Sequence, residues 1–263
     1  MSPGLLGAIF DVDGVLLATP HERAWRESLQ DLMGADWADL VTATDYAPER
    51  FTSALYQELI AGKPRFDGAR AALEHFRVPE VDARVLEYAD AKQARLMELI
   101  KSGAFAAFPD GVRFALALKM RGLRLAAASS SKNARDLLQQ VRLAPYPTPQ
   151  IENELAVSQH VASGATLLDL MDVDVSGRDL PHGKPHPAIF LLAAEELGLA
   201  PAVCLVVEDA PAGIAAAKAG GMAALGVARA GDQALLSAAG ADLVVSTLDE
   251  VDVEQLMAGR GSD

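Results

Sequence analysis

"GAIFDVDGVLL", residues 7–17, sets Asp11 and Asp13 directly behind an apolar run, with Gly14 immediately after them. A short, uninterrupted apolar stretch is what a strand buried on both faces looks like, and such strands belong to parallel sheets covered by helices. Two carboxylates this close repel each other and raise at least one pKa unless counter-charge is supplied. Both the rest of such a sheet and that counter-charge are expected further along the chain.

The sheet has clear candidates. "LRLAAA" (123–128) ends at "SSSKN", "VCLVV" (203–207) at "EDAPAG", "AALGVA" (223–228) at "RAGD", and "DLVVS" (242–246) near "TLDE". Helical patterns such as "DGVRFALALKMRG" and "PAIFLLAAEELGL" lie between them, each closing on a glycine as helix ends prefer. The alternation predicts an α/β fold with a doubly wound parallel sheet. Ligands of such sheets bind outside the carboxyl ends of the strands, and the first three strands deliver their polar clusters there.

From about residue 19 to 105 the alternation stops. "HERAWRESLQDLM", "ERFTSALYQELIAG", "ARAALEHF" and "VLEYADAKQARLMELIKSG" all carry helical periodicity and no buried strand. This predicts a core domain of residues 1–18 and 106–263, with an α-helical cap domain, close to a four-helix bundle, over 19–105. An insert leaving the sheet beside Asp11 and Asp13 can close a site to water.

Composition narrows the partners. The 263 residues are 51% hydrophobic and 22% charged, ordinary for a globular protein, and 36 acidic against 23 basic residues give a formal charge of −13. That balance argues against nucleic acid or an anionic membrane as partner, while a small phosphorylated metabolite stays compatible once a metal reverses the local sign. Cys204 is the one cysteine, so no internal disulfide can form and a reducing compartment fits. "MSPGLLGAIF" has no basic region and too short an apolar run for a signal peptide, and a cytoplasmic location is expected. A monomer or weak dimer is the expected assembly.

Phosphoryl transfer to a carboxylate needs a nucleophile, a cation, donors around the phosphoryl oxygens, and an acid–base group. Asp11 is a candidate nucleophile and Asp13 a candidate acid and base. Ser129 offers a hydroxyl and Lys184 a fixed positive charge, while Glu208 and Asp209 offer hard oxygen ligands suited to Mg²⁺. Each cluster also has a plainer reading. D-x-D is usually a solvated loop, Ser131 and Asn133 suit a helix N-cap, Lys184 precedes a proline as many surface lysines do, and Glu208 with Asp209 can cap the helix that follows. Four such clusters in this order are hard to obtain by chance.

"DVDGVL", "SSSKN", "GKPHPAIF" and "VVEDAPAGIAAAKAGGM" together resemble the four motifs of the haloacid dehalogenase superfamily. The resemblance spans essentially the whole chain. It implies a Rossmann-like core with a helical cap and Mg²⁺-dependent phosphoryl transfer through an aspartyl-phosphate. On that pattern Asp11 is the nucleophile, Asp13 the acid and base, and Ser129 and Lys184 bind the phosphoryl group. Asp11, the backbone carbonyl of Asp13, Glu208 and Asp209 would hold the metal. An aspartate at position 13 argues against the dehalogenases and phosphonoacetaldehyde hydrolases of the superfamily, which lack an acid–base group there.

"TPHERAW", "GKPR" and "SSSKN" are similar to stretches of the β-phosphoglucomutase-like subgroup, whose members act on sugar phosphates. This adds His21, Gly62, Arg65, Ser130, Ser131, Lys132 and Asn133 as substrate-side candidates. The expected function is therefore that of a sugar-phosphate phosphatase or phosphohexomutase, with a catalytically idle binding module of the same fold as the alternative. Two departures stand out. Residues 150–165 read as an added segment, and "LLAT" follows the first motif where relatives more often place an acidic residue.

Overall fold

Strand β1 (Gly7–Phe10) is buried along its whole length, and its side chains alternate between two covered faces. Ile9 joins an apolar cluster with Ala126, Val206, Phe190 and Ile214, whereas Phe10 meets Phe114 edge-on, 6.2 Å between ring centroids. Burial on both sides is why the strand carries no polar residue until Asp11.

The computed structural model describes residues 4–144 and 164–258. The chain forms two compact units, residues 1–18 with 106–263 and residues 19–105.

In the first unit β1 pairs in parallel with β4 (Arg124–Ala127) on one side and β6 (Cys204–Glu208) on the other. The register sets Phe10 level with Ala127 and Val207, so Asp11, Ala128 and Glu208 leave the sheet at one edge. Beyond β4 lies β5 (Val173–Asp174), and beyond β6 lie β7 (Ala223–Val227) and β8 (Leu243–Val245), all parallel. The order β5-β4-β1-β6-β7-β8 is that of a doubly wound Rossmann-like sheet. The chain winds away from β1 in both directions, and in doubly wound sheets ligands bind at such a switch point, here outside the carboxyl ends of β1, β4 and β6.

β5 is absent from the sequence-based list because its two residues carry no period of their own. A small antiparallel pair, β2 (Leu17–Ala18) with β3 (Ala106–Ala107), likewise escapes notice for its length.

Within residues 19–105, α1 (His21–Gly34) and α3 (Arg65–His75) pack on α4 (Val81–Lys101), with the short α2 (Ser53–Leu59) beside α3. Trp25 and Trp37 are buried in this unit's apolar cluster, and Trp25 meets Tyr88 in a T-shaped pair at 5.1 Å. Such a pair contributes about 0.5–1.5 kcal/mol beyond its buried area.

Most of the added segment expected at 150–165 lies outside the described residues. Its flanks meet: Leu143 N–H donates to Ala165 O at 3.0 Å, and Leu167 N–H to Val141 O at 2.8 Å. Extra length between such clasped ends costs little closure entropy. No described helix is long and apolar enough to cross a membrane.

Candidate active site

Each candidate group leaves the sheet where a strand ends. Asp11 follows β1, Ser129 comes two residues after β4, and Glu208 closes β6. Lys184 precedes α8 (Ala188–Glu196), α6 and α7 being Ala134–Gln140 and Leu167–Leu170. Its ammonium donates to Asp11 Oδ1 at 2.5 Å and also to Glu208 Oε1. Lys184 is 3% exposed and Glu208 0%, so this ion triad is closed to bulk water.

Glu208 Oε2 accepts the backbone N–H groups of Asp209 and Ala210, each at 2.8 Å. Both of its oxygens are therefore engaged by the protein. Asp209, at the start of the turn into α9 (Pro211–Ala219), packs its carboxylate against Gly14. Gly14 has a φ of +97°, and any Cβ there would collide with that carboxylate, so the position demands glycine twice over. The first and fourth motifs are thus in direct contact.

Asp13 pairs with Ser129, whose hydroxyl donates to Asp13 Oδ2 at 3.0 Å and accepts the N–H of Ser131 at 3.0 Å. The expected cap of α6 is not made as the sequence suggested. Asn133 occupies the N-cap with no side-chain bond, and Ser131 Oγ accepts from Asn133 N–H at 3.3 Å instead. Helical torsions at Asn133 carry its side chain away from the first-turn N–H groups.

Three buried carboxylates, Asp11, Glu208 and Asp209, share one buried ammonium. Burial drives the Asp11 carboxyl up to about 8, with Lys184 opposing the rise and the charges of Glu208 and Asp13 adding to it. Burial likewise holds Asp209 well above the usual carboxylate range, reinforced by Glu208 and Asp11. Burial alone would push Lys184 down; Asp11 and Glu208 more than reverse this, and it ends above its ordinary value. Among the described residues no three acidic, histidine or cysteine side chains form a ready-made ligand cage.

The remaining candidates have other local partners. Ser130 is exposed, and the exposed Lys132 pairs with Asp179 at 2.8 Å. Within residues 19–105, Arg65 pairs with Asp90 at 3.6 Å and lies 5.0 Å from the Phe66 ring, while Gly62 turns the chain after α2 with a φ of +75°. His21 Nδ1 stands 2.9 Å from the ammonium of Lys92, a residue absent from the sequence-based candidates. Lys92 is 3% exposed and lies 5.0 Å from the Trp25 ring. A signal for it existed: Lys92 falls on the α4 face of Val85, Tyr88, Ala89, Leu96 and Leu99, all buried. A cation on an apolar stripe is the anomaly to look for. Cys204 is buried as expected, and burial pushes its thiol up to about 11, which makes it inert.

A family model described as haloacid dehalogenase-like hydrolase matches residues 6–221. A β-phosphoglucomutase of Mycobacterium bovis is 30% identical over 262 residues, covering 92% of this chain and 90% of its own. Hexitol phosphatase A of Escherichia coli is 27% identical, covering 94% and 93%. Among solved structures, an archaeal β-phosphoglucomutase from Pyrococcus sp. strain ST 04 superposes with a TM-score of 0.67 at 28% identity, covering 96% of this chain and 99% of that one.

Proposed function

The chain belongs to the haloacid dehalogenase-like hydrolases, and from that premise we propose that it is a phosphatase or phosphomutase acting on a small sugar phosphate through an aspartyl-phosphate on Asp11. The observation that carries the reading is the closed triad of Asp11, Lys184 and Glu208 at the sheet's carboxyl edge. A surface loop D-x-D has no reason to keep a lysine at 2.5 Å inside the protein. The relatives' names, a phosphoglucomutase and a hexitol phosphatase, support a sugar phosphate as substrate.

With Oδ1 engaged by Lys184, Oδ2 of Asp11 is the oxygen assigned to attack phosphorus. The ester P–O bond breaks, its electron pair leaves on the sugar oxygen, and Asp13 supplies the proton that oxygen needs. In the second half Asp13 takes a proton from the entering hydroxyl, whose oxygen displaces the Asp11 carboxylate from phosphorus. If the hydroxyl belongs to water the outcome is hydrolysis; if it belongs to a sugar phosphate the outcome is isomerisation. Ser129 and Lys184 are assigned to the phosphoryl oxygens, with Ser130, Ser131, Lys132 and Asn133 around the same strand end. Arg65 is assigned to a second, non-reacting phosphate because its planar fork suits bidentate gripping. His21 is assigned to the substrate side, with Lys92 holding its ring from within the helical unit.

The donor set fits a divalent cation. Three buried carboxylates against one ammonium leave an excess of acidic oxygens that protons answer in the absence of metal, and hard oxygens suit Mg²⁺. Asp11, the main-chain carbonyl of Asp13 and Asp209 would hold it, and Glu208 would act through water because both its oxygens are engaged. When bound, the ion offsets charge on the phosphoryl oxygens.

Because Asp11 holds a proton up to about pH 8 without metal, binding must expel that proton. The apparent Mg²⁺ dissociation constant, read by thermal shift, is expected to fall at least about tenfold per pH unit between pH 6 and pH 8, since Asp209 is raised as well. A constant independent of pH would show the carboxylates already ionised.

The deciding experiment is a screen of phosphorylated sugars, β-glucose 1-phosphate included, with Mg²⁺ and with chelator, scoring inorganic phosphate and isomerised product. Turnover that needs Mg²⁺ is the expected result. No turnover of any phosphomonoester, p-nitrophenyl phosphate included, would leave the idle binding module standing.

A further inference from the structure

We propose that Arg229 is the positioning residue for the acid–base carboxylate, acting through the backbone that presents Asp13; this rests on the reading of Asp13 given above. Arg229 lies just beyond β7, remote from the first motif in sequence. Its guanidinium reaches back across the sheet edge: Nε donates to Gly14 O at 3.1 Å and Nη2 to Val15 O at 3.3 Å. These carbonyls belong to the two residues that follow Asp13. The turn they lie in is closed by Gly14 N–H on Leu17 O at 2.8 Å and Leu17 N–H on Val12 O at 2.8 Å. Asp13 is thereby held at its carboxylate by Ser129, and the turn directly behind it is held by Arg229.

The arginine is itself fixed. Nη1 donates to Asp110 Oδ2 at 2.7 Å, and that oxygen also accepts Thr247 Oγ1 and Leu248 N–H, each at 2.8 Å. The guanidinium lies 4.0 Å from the Phe108 ring centroid. Burial alone would raise Asp110; the bonds from Arg229, Leu248 and Thr247 outweigh it and hold the carboxyl below its usual range, ionised. Gly111 in the first turn of α5 (Pro109–Met120) also sits against Val15 O, so closely that a Cβ would displace it. The Val15 carbonyl therefore meets both a glycine and a guanidinium. A lysine can answer Asp110 but lacks the planar fork that reaches Asp110 and both carbonyls together.

A purely structural arginine would slow all esters alike, so the test is dependence on the leaving group. kcat/KM reports phosphoryl transfer to Asp11, and p-nitrophenolate leaves without a proton whereas phenolate is helped by one. Asp13→Asn should lose about a hundredfold on phenyl phosphate and far less on p-nitrophenyl phosphate. Arg229→Met should follow the same pattern, about tenfold against less than about threefold. Arg229→Lys should regain thermal stability and keep the selective loss. Thr247→Val and Gly111→Ala carry the test should Arg229→Met not fold, the first loosening Asp110 and the second pushing Val15.

Equal losses on the two esters, or none, with Asp13→Asn still selective would overturn the role of Arg229 and leave the phosphotransfer reading intact. Absence of selectivity in Asp13→Asn itself would remove the acid–base reading and the inference with it.

Discussion

Asp11→Asn is expected to fold and to lose at least about a thousandfold in Mg²⁺-dependent release of p-nitrophenolate, the scale on which removal of a covalent nucleophile acts. The amide has the carboxylate's shape and keeps an oxygen to accept from Lys184, so the triad's packing survives while the attacking electron pair does not. Stability moves the other way. In the unfolded chain Asp11 ionises near 3.8; folded, it keeps its proton until about 8. The folded state thus binds more protons across that window, and folding loses stability as pH rises through it. A neutral asparagine escapes that loss. The melting temperature of the metal-free variant should therefore exceed the parent's by a margin that widens from pH 5 to pH 8. Mg²⁺-dependent turnover surviving the substitution would remove Asp11 from the role of nucleophile.

Lys184→Met carries the second large effect, on stability as well as on rate. Lys184 is the ammonium between Asp11 and Glu208, and a methionine of similar length fills its channel without charge. Breaking a buried ion pair by removing one partner costs about 3–5 kcal/mol, because the remaining charge stays buried and uncompensated. Lys184 is what lowers the Asp11 carboxyl toward 8, so without it Asp11 keeps its proton to higher pH and the cost grows as pH rises through 8 and above. Urea unfolding of the metal-free protein at pH 9 and pH 6 reads this directly. The double variant Lys184→Met/Asp11→Asn should be more stable at pH 8 than Lys184→Met alone, since asparagine need not hold a proton that the unfolded chain has already released. Equal destabilisation at both pH values would show that the lysine contributes packing rather than charge.

Most of the sheet was legible because a buried strand writes itself locally. "GAIF" and "CLVV" need no knowledge of their neighbours to be apolar throughout, and the polar residues behind them mark where each strand meets solvent. β5 and the β2–β3 pair were not legible, since two residues hold no period. Among the site groups, Asp11, Ser129, Lys184 and Glu208 could be named from strand ends and motif spacing, but not the bonds between them. Ser129 turns its hydroxyl to Asp13, and Glu208 spends both its oxygens on protein donors, arrangements that spacing along the chain does not contain.

Arg229 and Lys92 show the same limit. Arg229 reads as one of many arginines in a glycine-containing loop until the fold brings it to carbonyls 215 and 214 residues away. Lys92 was readable in principle, from a charge on a helix face otherwise apolar, yet its partner His21 lies 71 residues earlier.

By itself the amino-acid sequence determined the α/β class, the positions of the long strands and helices, and the residue types delivered to the sheet's edge. All of these follow from short-range periodicity and backbone preference. Tertiary structure alone decided which carboxylate meets the lysine, that Asp209 rests on Gly14, and that an arginine beyond the fifth strand of the six-stranded sheet braces the turn after the first. Those pairings close only when strands distant in sequence come into register, and a hydrogen bond of 3 Å reach has no counterpart in a one-dimensional pattern.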